Sequence, residues 1–167
     1  TPAEYIAVKR GDILTRGGLS SATLQTINIS GLETEACRKL ADACIDELVS
    51  VAGISDAQRQ SALAELWLAV ALATCRPERA CERETEAFAA WMEVIRHSYS
   101  YLFFTGQSMN TRAFEDRQTQ VRDYYNLAVQ EASRLLFRGT HDGRDIPAEG
   151  VVRFAGWDVR VDISKLR

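Results

Sequence analysis

Residues 61–73 read Ser-Ala-Leu-Ala-Glu-Leu-Trp-Leu-Ala-Val-Ala-Leu-Ala, and the later half of this stretch is apolar on every side of a helix. A helix without a polar face is covered by other elements on most sides. Its predicted start is near Ser55, where Asp56 can interact with the positive first turn. The apolar run from Leu66 to Ala73 is less than half of the roughly 20 residues that cross a bilayer. The stretch therefore predicts the central helix of a helical domain.

Helical periodicity extends to both sides of this central helix. An earlier helical segment begins near Leu32, a third helix follows Pro77, and a fourth runs from about Thr111 to Phe137. The apolar positions that recur at helical spacing are Ala36, Leu40, Cys44 and Leu48 in the first segment, Phe88, Trp91, Met92, Ile95, Tyr99 and Leu102 in the third helix, and Phe114, Val121, Tyr125, Ala128, Ala132 and Leu135 in the fourth. This pattern predicts a mainly α fold, with about four helices in bundle-like packing over residues 31–138.

The two ends of the chain predict short β structure instead. Residues 22–29 alternate in polarity and contain Thr and Ile, so a β-strand is expected within an extended segment at residues 1–30. Residues 150–154 and 157–161 are also alternating runs, joined by Ala155-Gly156, and predict a β-hairpin. Residues 139–167 are therefore expected to form a turn and a hairpin that lead into a further domain.

The composition and net charge exclude some classes of partner but identify none. The chain has 167 residues, of which 46% are hydrophobic and 26% charged, in the range of a single globular domain. Its net charge of −3 gives no field that would attract nucleic acid, so no nucleic-acid partner is expected. The chain starts at Thr1-Pro2 without a basic and apolar leader, which is consistent with a processed or truncated product that a signal could have preceded.

Four cysteines form two close pairs in the sequence, Cys37 with Cys44 and Cys75 with Cys81. Two local disulfides are the favoured interpretation, and they would indicate export to an oxidising compartment. Four buried free thiols are the second alternative. A zinc site is the third and weakest, because no Cys-x2-Cys spacing is present.

The geometry of the two pairs differs. In one straight helix, Cys37 and Cys44 would lie about 10 Å apart along the axis, beyond the reach of a disulfide. Their pairing therefore requires a helix break between Leu40 and Cys44. The second pair flanks Pro77, which interrupts a helix, so this is the stronger prediction.

Residues that could carry catalysis do not form a complete centre. His97 has Glu93 and Tyr101 one helical turn away on either side, but no nucleophile or substrate pocket accompanies it. His141 lies in a predicted polar turn, and Ser20 lacks the Gly-x-Ser-x-Gly frame of a nucleophile elbow. His97 and His141 are expected to be structural, and no catalytic residue, metal or cofactor is predicted for this chain.

Aromatic residues concentrate on the third and fourth helices. Core packing accounts for most of them, but one helix cannot bury rings on every face, so part of the set is expected to dock a partner. The candidate docking residues are Tyr99, Tyr101, Phe104, Tyr124 and Tyr125.

Several segments resemble the N-terminal helical region of large bacterial α/β-hydrolase proteins, which look like exported or lipid-anchored esterases and lipases. The similar segments are His97-Ser-Tyr-Ser-Tyr-Leu-Phe-Phe104, Arg112-Ala-Phe-Glu-Asp-Arg-Gln-Thr-Gln-Val-Arg-Asp-Tyr-Tyr-Asn126, Ser61-Ala-Leu-Ala-Glu-Leu-Trp-Leu68 and the Cys37/Cys44 pair. The resemblance covers helix-packing blocks and contains no catalytic motif, so the triad would follow Arg167.

This resemblance implies an accessory domain that covers or positions a downstream hydrolase domain. It also implies a periplasmic or outer-membrane location, tethered through a lipid anchor that would precede these residues. The expected partner is the hydrolase domain of the same polypeptide or another envelope protein. The alternatives are a periplasmic protein-binding or inhibitory module without enzymatic activity, and a purely structural domain of an envelope assembly.

Overall fold

The computed structural model describes residues 13–77, 79–106, 112–141 and 150–162. These residues form six helices, one short helical turn that precedes them, and a two-stranded hairpin. The elements are α1 (Ile13–Arg16, the short turn), α2 (Ser21–Ile29), α3 (Thr34–Lys39), α4 (Ala41–Ser50), α5 (Asp56–Thr74), α6 (Glu84–Phe104), α7 (Arg112–His141), β1 (Val151–Phe154) and β2 (Trp157–Arg160). The mainly α fold is confirmed, with six helices where about four were predicted.

Helix α5 is the central element, as the apolar stretch predicted. It begins with a capping box, in which the Ser55 hydroxyl accepts from the Gln58 N–H and the Gln58 side chain accepts from the Ser55 N–H. It then packs against α2, α4, α6 and α7. Its buried side chains are Ser61, Ala62, Leu63, Ala64, Glu65, Leu66, Leu68 and Ala71. Because it is covered on several sides, α5 divides the apolar interior into two parts.

Each part of the interior belongs to a different set of elements. One apolar cluster joins α2, α3 and α4 to α5 through Ile27, Ile45, Leu48, Leu63 and Leu66. The larger cluster joins α5, α6, α7 and the hairpin, and includes Leu68, Phe88, Trp91, Val94, Tyr124, Leu135 and Phe154. These clusters hold α5, α6 and α7 side by side and so fix the polar groups that lie between them.

The strand predicted at residues 22–29 is wrong, because this segment is helix α2. Ser20 caps the helix by accepting the Thr23 N–H, and Thr23, Thr26 and Ile27 are buried on one face. The Thr26 hydroxyl donates to the Ala22 carbonyl, so its burial leaves no unpaired group. Tertiary burial at helical spacing thus outweighs the β propensity of Thr and Ile. Residues 1–12 of the predicted extended segment lie outside the described residues.

Both predicted disulfides are present, Cys37–Cys44 and Cys75–Cys81, and each joins Cα atoms 5.3 Å apart. The first requires the predicted helix break, which falls at Leu40 (φ −135°, ψ 82°) between α3 and α4. The second closes the loop after α5. Two disulfides indicate an oxidising environment. None of the helices within the described ranges has the length and apolarity to cross a bilayer.

The predicted hairpin is also confirmed, with antiparallel register from Val151↔Arg160 to Phe154↔Trp157. Its turn uses positive φ at Ala155 (51°) and Gly156 (80°), which matches the twist of the strands. The hairpin is attached to the helices by the Phe154 ring, whose centroid lies 4.7 Å from that of Phe88 on α6. A two-stranded ribbon is marginal alone, so this contact anchors it.

Candidate functional site

A carboxylate lies in the interior between α2, α5 and α7. Glu65 on α5 is 0% exposed, and its two oxygens accept four hydrogen bonds. Oε2 accepts from the Ser20 N–H at 2.8 Å and from the Ser20 hydroxyl at 3.1 Å. Oε1 accepts from the Tyr124 hydroxyl at 2.5 Å and from Arg117 Nη1 at 3.2 Å. This number of donors offsets the cost of removing the carboxylate from water.

The counter-charge is Arg117 on α7, which is 8% exposed. Its Nη1 also donates to the Ser20 hydroxyl and to Gln120 Oε1, both at 3.0 Å, and Nη2 donates to Thr23 Oγ1 at 2.8 Å. Its Nε has no hydrogen-bond partner within the described structure. We call this set the Glu65 network; its members are Ser20, Thr23, Glu65, Arg117, Gln120 and Tyr124. It connects three helices through one ion pair.

The Glu65 network was not predicted from the sequence. One signal was available, because Glu65 is the single acidic residue in an apolar stretch, and a buried acid requires a partner. The identity of that partner depends on the tertiary fold, since Arg117 is 52 residues away. The buried carboxylate cannot meet a substrate directly, so the network positions helices.

A cleft of about 800 Å³ opens beside this network. Its walls come from α2, the first turn of α5, the end of α6 and the start of α7. Arg117, Thr26 and Ser61 supply polar groups, and Ala57 and Phe114 supply apolar ones. This volume is in the range of small-molecule sites.

His97 on α6 belongs to a second polar cluster, which we call the His97 cluster (Gln60, Glu93, Arg96 and His97). Its Nδ1 lies 2.7 Å from Gln60 Oε1 on α5, and its Nε2 lies 3.4 Å from Glu93 Oε2. Burial, with a smaller contribution from the Arg96 charge, lowers the pKa of His97 to about 4. His97 is therefore neutral at pH 7, and its contact with Gln60 ties α6 to α5. No nucleophile accompanies it in the contacts described.

The predicted docking residues separate into two groups. Tyr99 and Phe104 are exposed at the end of α6, Phe104 by 74%, and beside them lies Phe103, which was not among the predicted residues and is 65% exposed. The Tyr99 ring centroid lies 4.6 Å from Phe103, 5.8 Å from Phe104 and 6.4 Å from Tyr125. We call these four residues the aromatic cluster. Exposed rings in contact with one another are typical of interaction surfaces.

Tyr101 and Tyr124 do not belong to that surface, which corrects their prediction as docking residues. Tyr101 is 3% exposed and packs in the larger apolar cluster. Tyr124 is buried, and its hydroxyl donates to Glu65. Both rings are buried in the larger apolar cluster, so neither belongs to an exposed docking surface.

His141 is the last residue of α7, which runs four residues past its predicted end at Phe137. Its side chain lies outside the described part of the structure. Within the described ranges, no group of three or more His, Cys, Asp or Glu side chains could hold a metal ion.

Comparison with known proteins gives no match to this chain from family models, curated protein sequences or solved structures. The functional interpretation therefore depends on the site geometry and on the resemblance noted in the sequence.

Proposed function

We propose that this chain is an accessory helical domain of an exported bacterial α/β-hydrolase, and that it covers or positions the catalytic domain through its aromatic cluster. The exposure of Phe103 and Phe104 beside Tyr99 carries the proposal. Large exposed rings cost solubility unless a partner covers them. The disulfides support an exported location, and the periplasmic side of the outer membrane and a lipid anchor follow from the resemblance.

The structure around the aromatic cluster suits a docking role. The cluster lies where α6 approaches its end, and the paired helices α6 and α7 present Tyr99 and Tyr125 side by side. The Glu65 network ties α7, which carries Tyr125, to α2 and α5. A rigid support keeps the entropy cost of binding low, because few groups are ordered when the partner docks.

The first test is the coding sequence after residue 167. A Gly-x-Ser-x-Gly motif with downstream Asp and His is expected within a few hundred residues. The second test compares hydrogen exchange in the longer polypeptide and in this 167-residue chain. Residues 99–104 should be protected in the longer polypeptide, because the catalytic domain covers them.

Matched variants connect this surface to the hydrolase. Phe104→Asp in the longer polypeptide should abolish the added protection and reduce the thermal stability of the hydrolase activity. Val49→Asp is the control, because Val49 is also an exposed apolar residue but lies on α4, away from the cluster. If the coding sequence contains no Gly-x-Ser-x-Gly motif, the proposal of a hydrolase partner is wrong. If the motif is present but residues 99–104 exchange hydrogen equally fast in both polypeptides, the aromatic cluster is not the docking surface.

A further inference from the structure

The cleft beside the Glu65 network has a built polar end, and this observation is independent of the aromatic cluster. Arg117 lines the cleft and is more than nine-tenths buried. Its Nε–H has no acceptor in the described structure. Because solvent does not reach this atom, the unpaired N–H carries an uncompensated cost of desolvation. An acceptor that meets it from the cleft would recover that cost.

The open edge of the Arg117 guanidinium has the geometry that a carboxylate requires. Nη1 is occupied by Glu65, Ser20 and Gln120, whereas Nη2, which carries two hydrogens, donates to Thr23 alone among the described residues. Nε and Nη2 share one edge of the planar group. Two parallel N–H groups on one edge match the two oxygens of a carboxylate. A small shift of the side chain toward the cleft would present this edge to a ligand.

The first turn of α5 contributes a second source of positive potential. Asp56 and Ala57 line the same cleft, and their amides belong to the turn that no helical carbonyl satisfies. The 19-residue helix directs its positive dipole end at this wall. The capping box uses the amides of Ser55 and Gln58, so it leaves those of Asp56 and Ala57 available.

The charges around the cleft favour a singly charged anion over a doubly charged one. Glu65 already balances Arg117, and Asp56, an exposed acidic residue, also lines the cleft. A doubly charged phosphate would therefore meet two acidic groups and one paired arginine. A single negative charge avoids most of this repulsion. Phe114, Ala22 and Ala57 provide apolar walls for the rest of the molecule.

From these observations we infer that the cleft is a binding site for a small monocarboxylate with an apolar body. Its carboxylate accepts from the Nε/Nη2 edge of Arg117, and the apolar body lies against Phe114 and the α2 wall. The amides of Asp56 and Ala57 add positive potential at the far side. This site is separate from the proposed docking surface and does not depend on a hydrolase partner.

Hexanoate and its neutral analogue hexanamide test the site by NMR on the ¹⁵N-labelled chain. Hexanoate should shift the Arg117 Nε–H resonance and the amides of Asp56 and Ala57, with saturation at about 1 mM, the range of a small ligand held by one charged contact. Hexanamide should bind about tenfold more weakly, because it lacks the charge. Equal shifts from both compounds, or no shift of Nε–H, would overturn the site.

Two variants separate binding from folding. Ala22→Leu fills the α2 wall of the cleft without touching the Glu65 network, and should weaken hexanoate binding about tenfold by steric exclusion. Ala43→Leu makes the same change at an exposed position on α4 and should leave binding unchanged. If both variants bind hexanoate like the parent chain, the shifts arise outside the cleft and the assignment fails.

Discussion

Helix α5 contributes a residue to each of two polar clusters, one built around a buried ion pair and the other around a neutral histidine. In the Glu65 network, the buried carboxylate of Glu65 accepts hydrogen bonds from a buried arginine and from three further donor groups. In the His97 cluster, Glu93 lies nearer the surface, and the exposed Arg96 approaches it to 2.6 Å. Although Glu93 Oε2 lies 3.4 Å from His97 Nε2, burial, with a smaller contribution from the Arg96 charge, lowers the pKa of the imidazole to about 4. One cluster is held by an ion pair and the other by a neutral side chain.

The comparison shows that burial alone does not determine which partners surround an ionisable group. Glu65 and His97 are both buried, but Glu65 has donors from two other helices directed at it, from the N-cap of α2 and from α7. Desolvation costs several kcal/mol per ion, and strong hydrogen bonds to the charged form must offset that cost. We therefore expect the two clusters to respond differently to substitution and to pH.

The largest effect is expected from breaking the ion pair. Arg117→Met should lower the free energy of unfolding by about 3–5 kcal/mol, because it leaves the Glu65 carboxylate buried without its counter-charge. Arg153→Met is the matched control: Arg153 and Asp158 form an exposed ion pair, whose loss should cost less than about 1 kcal/mol. Urea denaturation followed by circular dichroism measures both. Equal losses in the two variants would contradict the network.

A double substitution distinguishes the ion pair from simple packing. Glu65→Leu combined with Arg117→Met removes both charges and should be at least about 1 kcal/mol more stable than Arg117→Met alone, since no uncompensated charge remains. If the double variant is the less stable of the two, lost packing and not the isolated carboxylate explains the single substitution.

Most of the fold could be predicted from the sequence because local patterns determine where most of the helices begin and end. Helix α6 follows from the three-and-four spacing of Phe88, Trp91 and Ile95, and the break at Leu40 follows from the reach of a disulfide. Helix α2 was missed because Thr23 and Thr26 favour a strand locally and become helical through burial against other elements.

The sites were less accessible from the sequence for a related reason. Tyr99 and Tyr101 are two residues apart on one helix, so they point in different directions, and only the position of α7 decides which ring is covered. The pairing of Glu65 with Arg117 likewise joins residues that have no local relation. Such pairs are properties of the packed helices.

An intermediate effect is expected from removing one donor and keeping both charges. Tyr124→Phe deletes the hydroxyl that donates to Glu65 at 2.5 Å and preserves the ring. It should lower the free energy of unfolding by about 2 kcal/mol, the usual value for a hydrogen bond to a charged group. Tyr125→Phe is the control on the neighbouring residue, outside the network, and should cost less than about 0.5 kcal/mol. A Tyr124→Phe loss no larger than the control would show that the other donors suffice.

The smallest effect concerns the His97 cluster and depends on pH. The pKa of His97 is about 4 in the folded chain, against an ordinary value of 6.5. Between these values the unfolded chain binds the proton and the folded chain does not, so this contribution to stability is complete above pH 6.5 and is lost as pH falls toward 4. We expect a loss of about 2 kcal/mol or less between pH 7 and pH 4.5, allowing for screening by solvent.

His97→Asn isolates this contribution, because its amide can occupy the position of Nδ1 opposite Gln60 but does not titrate. Protonation of carboxylates in acid lowers the stability of both proteins equally. Subtracting one free energy of unfolding from the other therefore removes this shared contribution. Chemical denaturation at intervals from pH 7 to pH 4.5 should therefore show the parent chain losing stability faster than the variant. If the free energies of unfolding of the two chains fall in parallel with pH, His97 has an ordinary pKa in the folded chain and forms an ion pair with Glu93. The contrast between the two polar clusters would then disappear.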